Sequence, residues 1–319
     1  MKILVTGANG FIGQEVCRAL VTEDIPVRAA VRRQDAIQQL PAGVEPVLVA
    51  SPNMIDGWTR ACQDCSAVVH LIGLAHTSGR NVKEDISAFM DVNVGITRQL
   101  LRACQQNDVK RLVYLSSIKA IGEESGTDSV FTEKTTCNPQ DPYGRSKREA
   151  ELLIAAEAGT SQLQTTTFRS PLVYGAGVTG NLLRLMKWID RGVPLPLASV
   201  ANQRSMIYVR NLASAVVASL VNERAGREIF HVADRQPIST PALIRAMAEL
   251  MGKPARLYPM PERLLALGGR VAGRTSDVRR LVGSLCLSTD HIASSIGWRA
   301  PHSMEEGLAR TVAWYRNEA

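Results

Sequence analysis

The amino-acid sequence predicts an α/β fold, a doubly wound parallel sheet with a smaller, mixed α/β C-terminal domain. Three observations carry that expectation. Short apolar runs alternate with helical stretches through the first half of the 319 residues, the pattern of a parallel sheet with helices on both faces. The first run ends in a glycine-rich turn that opens directly into a helix. From about residue 170 the alternation breaks into Pro- and Gly-rich loops, Gly175 to Gly180 and Gly192 to Pro196.

Taken in order, strands are expected at residues 2–6, 26–31, 45–49, 67–72, 111–116 and 164–169, with helices near 11–22, 55–63, 86–107 and 143–158. Residues 204–221 and 228–233 look like returns to the first domain. The expected division is a first domain of residues 1–169 with returns near 204–233, and a second built from 170–203 and 234–319.

Composition narrows the class. With 45% hydrophobic and 21% charged residues the chain is of the soluble globular kind. No apolar run reaches the roughly 18 residues of a membrane helix. The first strand begins at Lys2, which leaves no room for a leader peptide, so a cytoplasmic location is expected. Six cysteines are scattered, and the Cys62/Cys65 pair has neither a second pair nor a histidine cluster beside it. No metal site is expected, and the thiols read as reduced. The net charge of +7 comes without any Lys/Arg block, the longest basic runs being pairs, Arg32-Arg33 and Arg279-Arg280. That argues against nucleic acid and for small anionic ligands.

The first thirteen residues sharpen that inference. Ile3, Leu4 and Val5 suit a buried strand, and a helical pattern starts at Phe11 and Ile12. Between them glycines fall at 7, 10 and 13. A strand, a tight turn and a helix N-terminus aim backbone N–H groups at a pyrophosphate. Gly7 serves the turn, Gly10 the approach of the phosphate, and Gly13 the packing of helix on strand. The reading is dinucleotide binding.

A second constellation carries chemistry. Tyr143 and Lys147 are four apart at the opening of a helix and so share one face. A neighbouring ammonium stabilises phenolate and is expected to lower the tyrosine pKa. Bringing a phenol from its ordinary value down to neutrality corresponds to about 4 kcal/mol. The lysine can also hydrogen-bond the nicotinamide ribose. Ser116 and Ser117 close the fifth strand, where ligands of doubly wound sheets bind. Ser117 is placed to hold a substrate carbonyl while Tyr143 protonates it.

With these motifs the chain resembles the extended short-chain dehydrogenases/reductases, the Rossmann-type group of nucleotide-sugar epimerases, dehydratases and ketoreductases. The marks are Thr6-Gly7-Ala8-Asn9-Gly10-Phe11-Ile12-Gly13, His70-Leu71-Ile72-Gly73, Asn93, Ser116-Ser117, Tyr143 to Lys147, Arg169 to Gly175 and Arg204 to Val209. The resemblance implies Ser117, Tyr143 and Lys147 as catalytic residues. It implies a cofactor groove of Gly7, Asn9, Gly10, Phe11, Ile12 and Gly13, with His70 to Leu74, including Leu71, Ile72 and Gly73, lining it. Asn93 orders the active-site backbone, and Pro171 to Val173 flank the nicotinamide. On the substrate side it implies Ser117, Ile118, Tyr143 and Asn181, with Arg204 on a UDP diphosphate and Arg280 as a second candidate for that task.

Two departures stand out. Val209 is followed by Arg210-Asn211 where the family often has two aspartates, and Arg210 has no assigned role. The second strand ends Val31-Arg32-Arg33, without the acid that accepts the ribose hydroxyls of NAD. Two guanidiniums there favour the 2′-phosphate of NADP(H), with NAD(H) the alternative. The resemblance is nearest to 4-ketoreductases that make UDP-N-acetyl-6-deoxyhexosamines for bacterial surface polysaccharide (O-antigen). The alternatives are a UDP-hexose 4-epimerase with tightly bound NAD and, more remotely, a non-catalytic dinucleotide-binding redox sensor. Ile118-Lys119 in place of an Asp-Glu pair argues against a dehydratase. The expected partner is a UDP-sugar, with a homodimer left open.

Overall fold

The computed structural model describes residues 1–75, 86–126, 129–271, 273 and 275–318. The strands of its main sheet are β1 (Ile3–Thr6), β2 (Val27–Val31), β3 (Val44–Leu48), β4 (Ala67–His70), β5 (Arg111–Ser117), β6 (Gln164–Ser170) and, later in the chain, β9 (Glu228–His231). They are parallel and run in the order β3-β2-β1-β4-β5-β6-β9. The direction of winding reverses between β1 and β4, which opens a crevice at their carboxyl ends.

Residue alternation explains how both faces are covered. Ile3 and Val5 of β1 point into one core with α1 (Phe11–Thr22) and α7 (Val209–Val221). Leu4 points into the other, with Trp58 of α2 (Ile55–Cys62), Leu100 of α4 (Ile96–Gln106) and Ile154 of α5 (Pro142–Thr160). A strand buried on both sides must be apolar at every position, which is why β1 reads as a continuous run. Each such side chain contributes roughly 1.5–3 kcal/mol on burial.

The glycine turn is fixed by sterics. Gly7 has φ +66°, a left-handed conformation that side chains disfavour. A Cβ at Gly13 would stand 2.1 Å from the Gly7 carbonyl oxygen and 2.8 Å from the Ala8 Cα. The first turn of α1 therefore presses onto the end of β1. No side chain caps its N-terminus at Gly10, which leaves the first amides without a side-chain acceptor.

Past β6 the chain makes β7 (Leu172–Tyr174), α6 (Gly180–Asp190) and β8 (Met206–Tyr208). The expected return near residue 204 holds in part: α7 packs with α1 on the core under the main sheet, but β8 pairs with β7 in a separate two-stranded sheet and does not join the main one. The backbone just before it is held elsewhere. Arg204 exchanges two backbone hydrogen bonds of 2.9 Å with Ile238, and Ser205 N–H donates to the Leu285 carbonyl at 2.8 Å. The expected fourth strand also ends early, at His70, because the Leu71 N–H is taken by the Thr6 hydroxyl at 3.1 Å.

The remaining helices are α3 (Ile86–Met90), α8 (Thr240–Leu250), α9 (Glu262–Val271), α10 (Thr275–Val282), α11 (Asp290–Ile296) and α12 (Met304–Glu318). A third core gathers Tyr174, Met186, Tyr208, Met247 and Leu308. Asn211, one of the departures in the sequence, is fully buried beside it. Its amide donates to Asp234 at 2.7 Å and to the His302 carbonyl at 3.0 Å, and its oxygen accepts the His302 N–H at 2.9 Å. An aspartate there would oppose the Asp234 carboxylate. Arg210 meets Glu15 of α1 at 3.3 Å.

Candidate active site

The switch-point crevice collects the predicted catalytic residues from two elements. Ser117 ends β5, and Tyr143 and Lys147 come from the first turns of α5. That helix starts where it does because Asp141 caps it, accepting the Gly144 N–H at 2.7 Å, with Pro142 in its first turn. Ser117 and Tyr143 are hydrogen-bonded through their side chains. The Phe89 ring of α3 packs on Tyr143 at 6.2 Å between centroids.

The electrostatics depart from expectation. The Tyr143 phenol is pushed up to about 12, chiefly by burial; the Ser117 hydrogen bond opposes the rise and the Asp141 carboxylate adds to it. Lys147, expected to lower this phenol, instead donates to the Leu115 carbonyl at 2.8 Å and lies 4.7 Å over the Tyr114 ring. Burial lowers the ammonium to about 8, opposed by the Glu151 carboxylate. In this arrangement Tyr143 stays protonated, and Lys147 keeps its charge at neutral pH and loses it as the pH passes about 8.

Asn93 hydrogen-bonds both the loop after β4 and the helix that carries Tyr143. It sits in a π-helical turn, Asp91–Gly95, and is 1% exposed. Its oxygen accepts the Leu74 N–H at 2.7 Å, while its amide donates to the Leu74 carbonyl and to Ser146 Oγ, at 3.2 and 2.8 Å. Ser146 in turn donates to the Tyr143 carbonyl at 2.8 Å. The loop after β4 is thus tied to the catalytic helix. Within that loop Leu71 and Ile72 are half-buried, and a Cβ on Gly73 would lie 2.9 Å from the Lys147 nitrogen.

Three further residues support these. His70, expected to line the cofactor groove, is instead buried and held neutral, its pKa lowered to about 3 chiefly by burial. Its ring contacts Thr6 at 2.9 Å and Thr97 at 3.0 Å. Because Thr97 donates to the Asn93 carbonyl at 2.6 Å, it accepts from His70 Nε2–H, which leaves Nδ1 to accept from Thr6. Glu151 lies four residues beyond Lys147 on the same helical face. It takes two hydrogen bonds from buried Arg169, at 3.0 and 2.7 Å, and one from Ser116 at 2.6 Å. Extending the Tyr143, Lys147 spacing by one more step would have found it. Lys119 meets Glu123 at 2.8 Å and Asp141 at 2.5 Å.

The cofactor side matches the glycine turn. The half-buried residues Asn9, Phe11 and Ile12 surround Gly10, and Asn9 donates to Gln39 at 3.1 Å. Val173 packs between two cores, with Pro171 buried two residues before it. At the end of β2, Arg32 is exposed. Arg33 is gripped by Asp35 through bonds of 3.0 and 2.8 Å, so its guanidinium already faces a carboxylate. The open turn, the uncapped start of α1 and the exposed Arg32 after β2 fit a bound dinucleotide.

The substrate-side residues are less closely gathered. Arg204 is half-buried and donates to the Gly283 carbonyl at 2.7 Å; burial lowers its pKa, and the Arg280 charge adds to that. Arg280, on α10, approaches Glu123 and Asp141 at 3.8 and 3.7 Å. Those are the carboxylates that hold Lys119. Ile118 is buried beneath, against Leu285 and Leu287. Asn181 stands exposed at the start of α6 and accepts from Arg184 at 2.8 Å; among the described residues no contact joins it to the others.

Comparison with known proteins agrees with this geometry. Residues 3–233 match the model of the NAD dependent epimerase/dehydratase family. A UDP-glucose 4-epimerase of Vibrio cholerae is 30% identical over 316 residues, covering 97% of this chain and 94% of that one. An Escherichia coli O157:H7 4-epimerase of N-acetyl-glucosaminyl-diphospho-undecaprenol is 25% identical, covering 98% and 95%. Among solved structures, MoeE5 in complex with UDP-glucose and NAD superimposes with a TM-score of 0.79 at 26% identity, covering 99% of both chains.

Proposed function

The chain belongs to the NAD-dependent epimerase/dehydratase family, and within it we propose an NADP(H)-dependent 4-ketoreductase acting on a UDP-linked 2-acetamido-2,6-dideoxy-4-hexulose. The observation that carries this reading is the end of β2, where Val31 is followed by Arg32, exposed, and Arg33, and no acid stands at the three positions to accept ribose hydroxyls. Basic residues there suit NADPH, the donor for a reductase that draws hydride from a free cofactor pool.

In the proposed reaction Ser117 and Tyr143 together hold the C4 carbonyl oxygen. Tyr143 delivers its proton to that oxygen as the carbon is reduced, a role worth about 10²–10⁴ in rate. A bound nicotinamide supplies the hydride. Lys147 holds its ribose and balances the tyrosine's charge as the proton leaves. Gly7, Gly10 and Gly13 cradle the pyrophosphate, Arg32 takes the 2′-phosphate, and Arg204 with Arg280 holds the substrate diphosphate. Lys119, paired with two carboxylates, stands where an eliminating enzyme of this family would need a base. The division into a dinucleotide domain and a substrate domain belongs to the same proposal.

The second reading, a UDP-hexose 4-epimerase, is favoured by the Vibrio relative and by the Asp35 grip on Arg33. Isotope transfer separates the two. With NADPH deuterated at the transferred position, a reductase places the label on C4 of its product. An epimerase returns the substrate's own hydrogen and takes up no label from free cofactor.

A further inference from the structure

Helix α9 turns most of its described side chains outward. Of its described side chains Leu265 alone is buried, while Leu264 and Leu267 are 54% and 57% exposed. At about 100° per residue, Arg270, Arg263, Leu267 and Leu264 fall in that order around one arc of about 120°. Leu265 lies about 100° beyond Leu264, against the third core. Two leucines one turn apart and two arginines therefore share a single outward face. Exposed leucines are common singly, but a paired apolar stripe beside basic residues marks an interfacial surface.

Charge on the surrounding segment points the same way. From Lys253 to Arg280 the sequence carries seven Lys or Arg against two acids, a net of +5 in a chain whose total is +7. A second copy of the chain would bring a like charge to this face. Nucleic acid would satisfy the arginines and leave the leucines in water. Among the described residues no helix is long and apolar enough to cross a membrane, and α9 itself has ten residues.

We propose that this face docks reversibly on an anionic lipid surface. Helix α9 lies in the plane of the interface, Leu264 and Leu267 enter the acyl boundary, and Arg263 and Arg270 sit level with the headgroups. Helix α10 packs on α9, and Arg280 lies on it, so docking brings the substrate arginines near the bilayer.

Flotation of the full chain with phosphatidylcholine vesicles, with and without phosphatidylglycerol, tests the proposal. Wild type should float with the anionic vesicles at low salt, dissociate as salt is raised, and ignore phosphatidylcholine alone. Arg263→Ala/Arg270→Ala should lower partitioning roughly 30-fold, from about fivefold per charge. Leu264→Asp/Leu267→Asp should abolish it while thermal unfolding and cofactor affinity stay unchanged. Wild type that remains unbound at low salt, or variants that bind as well as wild type, would overturn it. So would an oligomer that the leucine variant dissociates without any vesicle binding, which assigns the face to a second copy. None of these readouts depends on the sugar chemistry, so failure here and failure of the ketoreductase reading are distinguishable.

Discussion

The two sides of the crevice are built differently. On the catalytic wall Tyr143 and Lys147 each have further residues behind them: Ser146 and Asn93 behind Tyr143, Glu151 and Leu115 behind Lys147, and Arg169 behind Glu151 in turn. On the binding side the cations face carboxylates that a ligand's phosphate would have to displace, Arg33 on Asp35 and Arg280 on Glu123 and Asp141. Chemistry needs atoms fixed within fractions of an ångström, whereas anion binding needs charge that can be exchanged. The first wall should therefore break sharply under substitution, and the second should weaken by degrees.

The sharpest break is Tyr143→Phe. Turnover should fall by roughly 10² to 10⁴, with cofactor affinity and thermal unfolding unchanged; wild-type turnover would refute its role as proton donor. Glu151→Gln should act on stability instead. It leaves Arg169, 2% exposed, without its counter-charge, and such losses cost about 3–5 kcal/mol. Denaturant unfolding reads that directly, and a midpoint shift worth under about 1 kcal/mol would show that the wall tolerates the loss.

The pH dependence of the same wall has an unusual sign. Lys147 titrates at about 8 in the folded protein against an ordinary 10.5. As pH rises through about 8 the folded chain loses this proton before the unfolded chain does. Between those two values the unfolded state binds more protons, so this group makes stability rise with pH. Activity should fall over the same range as the ammonium disappears. Opposed trends in wild type, both absent in Lys147→Met, are the expected outcome; parallel trends would leave Lys147 with no part in either.

The binding side should give smaller, graded effects. Arg32→Ala should weaken NADPH about 10- to 150-fold, the loss of one charge-assisted bond of roughly 1.5–3 kcal/mol, with NADH nearly unchanged. Arg33→Ala should matter less, because Asp35 competes for that guanidinium. Arg204→Ala should raise KM for a UDP-sugar more than it lowers kcat. Calorimetry with each nucleotide checks the first pair and steady-state kinetics the last; an unaltered NADPH/NADH ratio in both β2-end variants would point to NAD.

The same contrast governs what could be read in the sequence. The strand–turn–helix of residues 3–22 was legible because sterics at Gly7 and Gly13 leave little choice. Ser117 and Tyr143 were legible because local spacing and the strand end place them. The supporting role of Glu151 was missed although its place one step beyond Lys147 was legible, because its partner Arg169 comes from β6 and helical spacing says nothing of it. The separate β7–β8 sheet escaped for another reason: Met206 to Tyr208 has the pattern of any buried strand, and its exclusion from the main sheet is decided by Ile238 and Leu285, far along the chain. The lowered phenol pKa was expected from helical spacing alone, yet the Leu115 carbonyl draws Lys147 away.

The most direct measurement mixes the purified protein with NADPH and a UDP-linked 4-keto-6-deoxy-N-acetylhexosamine and follows nicotinamide absorbance. A 4-ketoreductase consumes NADPH in equal measure with formation of a UDP-N-acetyl-6-deoxyhexosamine, and that is the expected result. Unchanged absorbance, together with interconversion of UDP-glucose or UDP-N-acetylglucosamine and their C4 epimers, would contradict it.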